Sequence, residues 1–120
     1  MATIDVTMKS FEETVDKNEI VLLDFWAEWC GPCRTFGPIF ERVSERIPDL
    51  VFGKVNTEAE QELSGAFQVR SIPTLMIFRQ TYLVFEQPGL VTESGLEDLI
   101  EQVKGLDMEK VKKHFDSQNS

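Results

Sequence analysis

The chain has 120 residues, within the span of one domain and long enough to bury a core without covalent help. Hydrophobic residues make up 42%, and the longest apolar run, Ile20 to Ala27, is short and broken by Asp24, which excludes an intrinsically disordered chain and a membrane-spanning helix. Acidic residues number 21 against 12 basic ones, and the formal charge of -9 repels phosphate backbones and anionic lipid. Nucleic acid and membrane are therefore not expected partners, and the charge reads as a solvated surface. The first residues, Met1-Ala2-Thr3-Ile4-Asp5, carry no basic stretch followed by an apolar one, so the expected address is cytoplasmic and reducing.

Ser10-Phe11-Glu12-Glu13 has the capping-box pattern and predicts a helix from there to about Lys17. Ile20 to Ala27 is apolar at consecutive positions and rich in branched and aromatic residues, as in a strand covered on both faces. Phe36, Ile39, Phe40, Val43 and Ile47 recur at helical spacing, giving a long helix bent by Pro38. Leu50 to Val55 reads as a strand, and Thr57-Glu58-Ala59-Glu60 as a second capping box opening a helix to about Phe67. Thr74 to Arg79 and Leu83 to Gln87 are strands close enough to pair as a hairpin. A last helix, entered through Ser94-Gly95-Leu96-Glu97, carries Leu96, Leu99, Ile100 and Val103 on one stripe. Strands alternate with helices first and pair directly later, which predicts an α/β fold with a mixed sheet between helices.

Both cysteines, Cys30 and Cys33, fall at the junction of the first strand and the long helix, separated by Gly31 and Pro32. As a structural staple they would close so short a loop that little unfolded-state entropy is removed, well below the ~3 kcal/mol of a fifteen-residue loop. A closed zinc site needs four ligands, and the single histidine, His114, lies far along the chain in a solvated tail, so a metal would need ligands from a second chain. No metal is expected. Redox chemistry asks for two thiols that can close on each other, one of them exposed and held as thiolate. Cys30 sits at a helix N-terminus, where unpaired amides and the dipole favour negative charge, so it reads as the nucleophile. Cys33, one turn further in, is placed to resolve the mixed disulfide, and Pro32 is tolerated because its missing amide would be unpaired there.

The motif Trp29 to Cys33, WCGPC, with VLLDFWAEWCGPCR around it, KVNTE in the middle and SIPTLMIF downstream, resembles the thioredoxin family over about Ile4 to Val103, in the family's order and spacing. The resemblance implies the thioredoxin fold and a general protein-disulfide reductase, with no bound cofactor, recharged by a thioredoxin reductase using NADPH. By the same match Cys30 is the attacking and Cys33 the resolving cysteine, Asp24 the buried carboxylate, and Pro73 a cis-proline facing the disulfide. Disulfide-containing proteins are the implied substrates, and the chain is expected to be a monomer.

Residue chemistry adds to this. Asp24 interrupts an apolar strand; a carboxyl buried there resists ionisation, can take a proton near neutral pH and is placed to help deprotonate Cys33. The alternative is a carboxyl satisfied by a structural partner, for which Lys54 is the candidate. Trp26 is expected to pack in the core, whereas Trp29 with Gly31, Pro32, Ile72 and Gly89 forms a small apolar docking patch. Backbone groups of Ile72 can pair with an extended substrate.

The sequence departs from the family pattern at Ser71, Thr57 and Pro88, and the Arg79-Gln80-Thr81-Tyr82 turn lacks the usual glycine, which predicts a looser or longer tip. The expected division is a redox domain over 1–104 and an extension over 105–120, in which Met108, Val111 and Phe115 form a short amphipathic helix before a frayed end. Two function classes stand: an electron carrier that reduces protein disulfides, or a binding module or chaperone partner on the same scaffold. Turnover by an NADPH-linked reductase discriminates them.

Overall fold

The computed structural model describes residues 2–118. Its elements in chain order are β1 (Thr3–Asp5), α1 (Met8–Lys17), β2 (Ile20–Trp26), α2 (Gly31–Arg46), β3 (Val51–Asn56), α3 (Gln61–Ala66), β4 (Thr74–Arg79), β5 (Tyr82–Pro88), α4 (Glu93–Lys104) and α5 (Met108–Gln118). The strands form one sheet in the order β1-β3-β2-β4-β5, parallel among the first three and antiparallel from β2 onward. This is the mixed sheet between helices that the strand and helix pattern predicts.

β2 lies at the centre, and side-chain alternation sorts it between two cores. Ile20 and Leu22 face Phe36, Phe40 and Val43 of α2 and Leu96, Ile100 and Val103 of α4. Val21, Leu23 and Phe25 face the opposite side with Val15 of α1 and Leu63 of α3. Gly53 is required where β3 passes under this second core: a Cβ would come 2.5 Å from Val6 Cγ2 and 2.9 Å from Leu23 Cδ2.

The three helix starts read from capping boxes differ from the sequence expectation. α1 begins earlier, capped by Thr7, whose Oγ1 accepts from the Ser10 amide at 3.2 Å while Ser10 Oγ accepts from the Thr7 amide at 2.9 Å. Glu13 instead pairs with Lys17. Thr57 caps nothing: its hydroxyl donates to the Trp26 carbonyl, Asn56 Oδ1 takes the Glu58 and Ala59 amides, and α3 starts only at Gln61. Thr92, not Ser94, caps α4 by accepting from the Gly95 amide, and Glu97 is drawn off to Arg46. The pattern of a hydroxyl residue three before an acid fits several registers, and packing selects one. β1 is absent from the sequence expectation because three residues carry no readable period.

The β4–β5 turn is tight rather than loose. Gln80 and Thr81 both take positive φ, 51° and 75°, the conformation of a two-residue hairpin turn, with Arg79 paired to Tyr82 across it. Glu19 replaces the missing glycine's contribution by gripping Gln80, its carbonyl accepting from the Gln80 amide at 2.8 Å and its Oε2 from Gln80 Nε2 at 2.9 Å.

Beside it, the Arg79 side chain is only 17% exposed and donates from one guanidinium nitrogen to the carbonyls of Val103, Lys104 and Leu106, while its Nε pairs with Glu19. It closes the open C-terminal carbonyls of α4 and fixes the corner into α5. Arg79→Met is expected to destabilise the fold by about 2 kcal/mol, since charge-assisted bonds to three carbonyls, two of them part-buried, are lost, lowering Tm by about 8 °C in a calorimetric scan. A loss under one degree would show that water replaces the guanidinium at no cost.

Beyond Gly105, α5 follows as an eleven-residue helix, with Met108 buried and the Phe115 ring 5.1 Å from that of Tyr82. The expected fraying at the chain end falls partly on residues 119 and 120, outside the described residues. His114 is exposed, at the rim of α5. No helix of the described residues is long and apolar enough to cross a membrane.

Candidate active site

Past Trp26 the chain leaves β2 and turns, the Cys30 amide donating to the Ala27 carbonyl at 3.2 Å, before α2 begins at Gly31. Pro32 stands in the first turn of α2, where no donor is missed. Cys30 is the N-cap, and its Sγ accepts from the Cys33 amide at 3.2 Å. Cys30 and Cys33 are joined as a disulfide. The Cys33 amide and the helix dipole point at the Cys30 sulfur, an environment that favours a thiolate once the bond is reduced.

One expectation needs correction. Cys30 is no more exposed than Cys33, at 4% against 6%, because Ala27, Trp26 and Ile72 pack around the pair. Solvent meets Trp29 instead, 68% exposed, with Gly31 and Pro32 beside it.

The wall opposite comes from the segment before β4. The Ile72–Pro73 peptide is cis, and the Ile72 carbonyl oxygen lies 3.6 Å from Cys30 Sγ. Two bonds hold this segment: Thr74 Oγ1 donates to the Ser71 carbonyl at 2.6 Å, and the Gly89 amide to the Pro73 carbonyl at 2.8 Å. Gly89 has φ 89°, which only glycine adopts freely, and the reversal leaves Leu90 projecting at 52% exposure. Thr74 and Leu90 are absent from the sequence expectation. Thr74 was readable as a hydroxyl directly after Pro73, and Leu90 as an isolated apolar residue after a glycine.

Asp24 lies on the same face of β2 as Ile20 and Leu22, and therefore under α2. It is fully buried, and neither carboxylate oxygen has a hydrogen-bond partner among the described residues. Burial pushes its pKa up to about 7, against a smaller downward pull from Lys54, its partner residue in the β2–β3 register. Lys54 is thus an attractive charge without being a ligand of the carboxyl. Its ammonium lies 5.1 Å from the centre of the Trp26 ring, a cation–π contact. Trp26 is only half-buried, short of the core position expected for it, and its buried Nε1 has no acceptor among the described residues. Cys33, Trp26, Lys54, Arg34 and Glu41 line a cleft of about 460 Å³, and a Cβ on Gly37 would come 3.6 Å from Lys54 Nζ. Cys33 thus opens onto this cleft, while the carboxyl that changes charge near neutrality lies buried under α2, the helix that carries Cys33. Among the described residues no three His, Cys, Asp or Glu side chains are grouped as a metal ion would need.

The thioredoxin family model matches residues 2–102. A putative thioredoxin 2 of Streptomyces coelicolor is 55% identical over 112 residues, 93% of this chain and 84% of that one. A thioredoxin of Mycoplasma pneumoniae is 30% identical over 102 residues, which cover 85% of this chain and the whole of that protein. Among solved structures, a thioredoxin of Halobacterium salinarum superposes with a TM-score of 0.79 at 35% identity, covering 87% of this chain and 91% of its own. With a paired CxxC at the N-terminus of α2 and this sheet order, the chain belongs to the thioredoxin family and is a thiol-disulfide oxidoreductase of the disulfide-reducing kind.

Proposed function

We propose that this chain carries electrons from NADPH, through a thioredoxin reductase, to disulfides of cytoplasmic proteins, acting as a monomer in redox homeostasis. In this reading the redox domain is residues 1–104, and 105–120 is an addition that the chemistry does not use. The observation that carries it is the Cys30–Cys33 pair set as the N-cap and first turn of α2.

In the reduced protein the Cys30 thiolate attacks one sulfur of a substrate disulfide, forming a mixed disulfide and expelling the other substrate sulfur as thiolate. Cys33 then gives its proton to Asp24 and attacks Cys30 Sγ. The second substrate sulfur leaves as a thiolate, and two electrons have passed from the dithiol to the substrate. The reductase restores the dithiol. Trp29, Gly31, Pro32, Ile72 and Gly89 receive the substrate, with Pro73 setting the Ile72 carbonyl against Cys30 and a peptide backbone able to pair there. Lys54, stacked on Trp26 in the cleft, supports Asp24 through its charge alone.

The two cysteine residues are buried to a similar degree in the disulfide form, and it is Cys30 that stands as the N-cap of α2. Brief iodoacetamide treatment of the reduced protein near neutral pH should therefore alkylate Cys30 well ahead of Cys33, as read by peptide mass spectrometry. Preferential labelling of Cys33 would exchange the two roles.

A further inference from the structure

α5 lies outside residues 2–102, which the family model matches, and the redox site makes no use of it. Its position is unusual. Leu83 packs with the α1/α3 core and Val84 with the α2/α4 core, so the two point to opposite faces of β5. Yet both line one crevice of about 400 Å³ together with Leu106, Val111 and Phe115. A helix that meets both faces of a strand stands at the strand's open side, and β5 is the last strand of the sheet. α5 thus runs along the edge where backbone amides and carbonyls would otherwise present themselves to another chain.

We infer that α5 is an edge cover, which keeps this protein monomeric by occupying the place where the β5 strand of a second copy would add. The segment it overlies, Tyr82-Leu83-Val84-Phe85, is uncharged and rich in β-forming residues, the composition that pairs with its own kind. Two such strands, set antiparallel about a two-fold axis, bring no charged side chain of that segment opposite another. The edge carries one further deterrent inside that segment and others beyond it. Val84 is unpaired in the register with β4, a bulge that twists the strand, and beyond α5 come Glu86 and the proline of Pro88. At the opposite edge β1 has only three residues, too short to template a partner. Every open edge is therefore blunted, and over Tyr82 to Val84 the device is α5. A helix of eleven residues is marginal by itself in water. It is held here by Met108, by the Phe115–Tyr82 contact and by the Leu106 carbonyl on Arg79.

The test compares the intact chain with Val111→Asp/Phe115→Asp, which undocks α5, and with truncation after Gly105. The truncated form keeps residues 1–105, and a match over 102 residues covers the whole of the Mycoplasma pneumoniae relative. Sedimentation velocity across the micromolar range should find the intact chain as a monomer and both variants at twice its mass. Association should strengthen with added salt as repulsion between two strongly acidic copies is screened. Adding Val84→Lys to the truncated form should restore the monomer. All forms should still reduce insulin, which separates this idea from the redox assignment. Monomeric variants, an intact chain that is already dimeric, or association that survives Val84→Lys would each overturn the edge cover.

Discussion

Cys33→Ser is expected to abolish turnover: insulin reduction should fall to the rate of dithiothreitol alone, while Cys30 still attacks and remains locked to its substrate. The serine hydroxyl keeps the size of the thiol but cannot displace a sulfur, so only the second half of the exchange is lost. Non-reducing electrophoresis with a disulfide-bearing substrate should show a one-to-one covalent adduct that dithiothreitol dissolves. Cys30→Ser should form no adduct. If Cys33→Ser turned over at even a tenth of the parent rate, external thiol would be resolving the adduct and Cys33 would be dispensable.

Asp24→Asn is the second large change, and its sign depends on pH. An ordinary aspartate ionises near pH 4, whereas buried Asp24 holds its proton to about 7. The folded protein therefore binds an extra proton between those values. Its stability is undiminished below about pH 4, falls as pH rises and levels off above about 7. Each tenfold separation is about 1.4 kcal/mol, so the ionised carboxylate costs the fold about 4 kcal/mol at pH 8. Asparagine removes that term but leaves an unpaired buried amide, worth about 1–3 kcal/mol. Urea titrations should find the variant more stable than the parent by about 1–3 kcal/mol at pH 8, with the advantage gone near pH 4. A variant less stable at pH 8 would mean that Asp24 is satisfied by a partner. In stopped-flow experiments the same substitution should slow resolution of the mixed disulfide more than its formation, because the proton of Cys33 loses its acceptor.

The placement of Asp24 was legible because a lone carboxylate in the run Ile20 to Ala27 contradicts its surroundings, and the helix opening at the cysteines because apolar spacing changes period there. The sheet and its flanking helices followed from the same contrasts. The starts of α1, α3 and α4 were not legible, since Thr7, Ser10, Thr57, Thr92 and Ser94 all offer a hydroxyl and only packing decides which amide it meets. The tight turn at Gln80 and Thr81 was invisible because its support, Glu19, is remote in sequence. The similar burial of the two cysteines follows from Ile72 packing against them, a contact between segments that no local pattern encodes.

The sheet order has a consequence for a chain made from one end. β2, the central strand, is complete at Trp26, but its neighbours are β3 and β4, and the second of these ends at Arg79. On a ribosome, the first three strands can assemble as a parallel half while one side of the most apolar strand in the protein still waits for a partner. That interval, not the finished fold, is when this molecule is most open to aggregation, and the nascent half relies on its two helices and its acidic surface to pass through it.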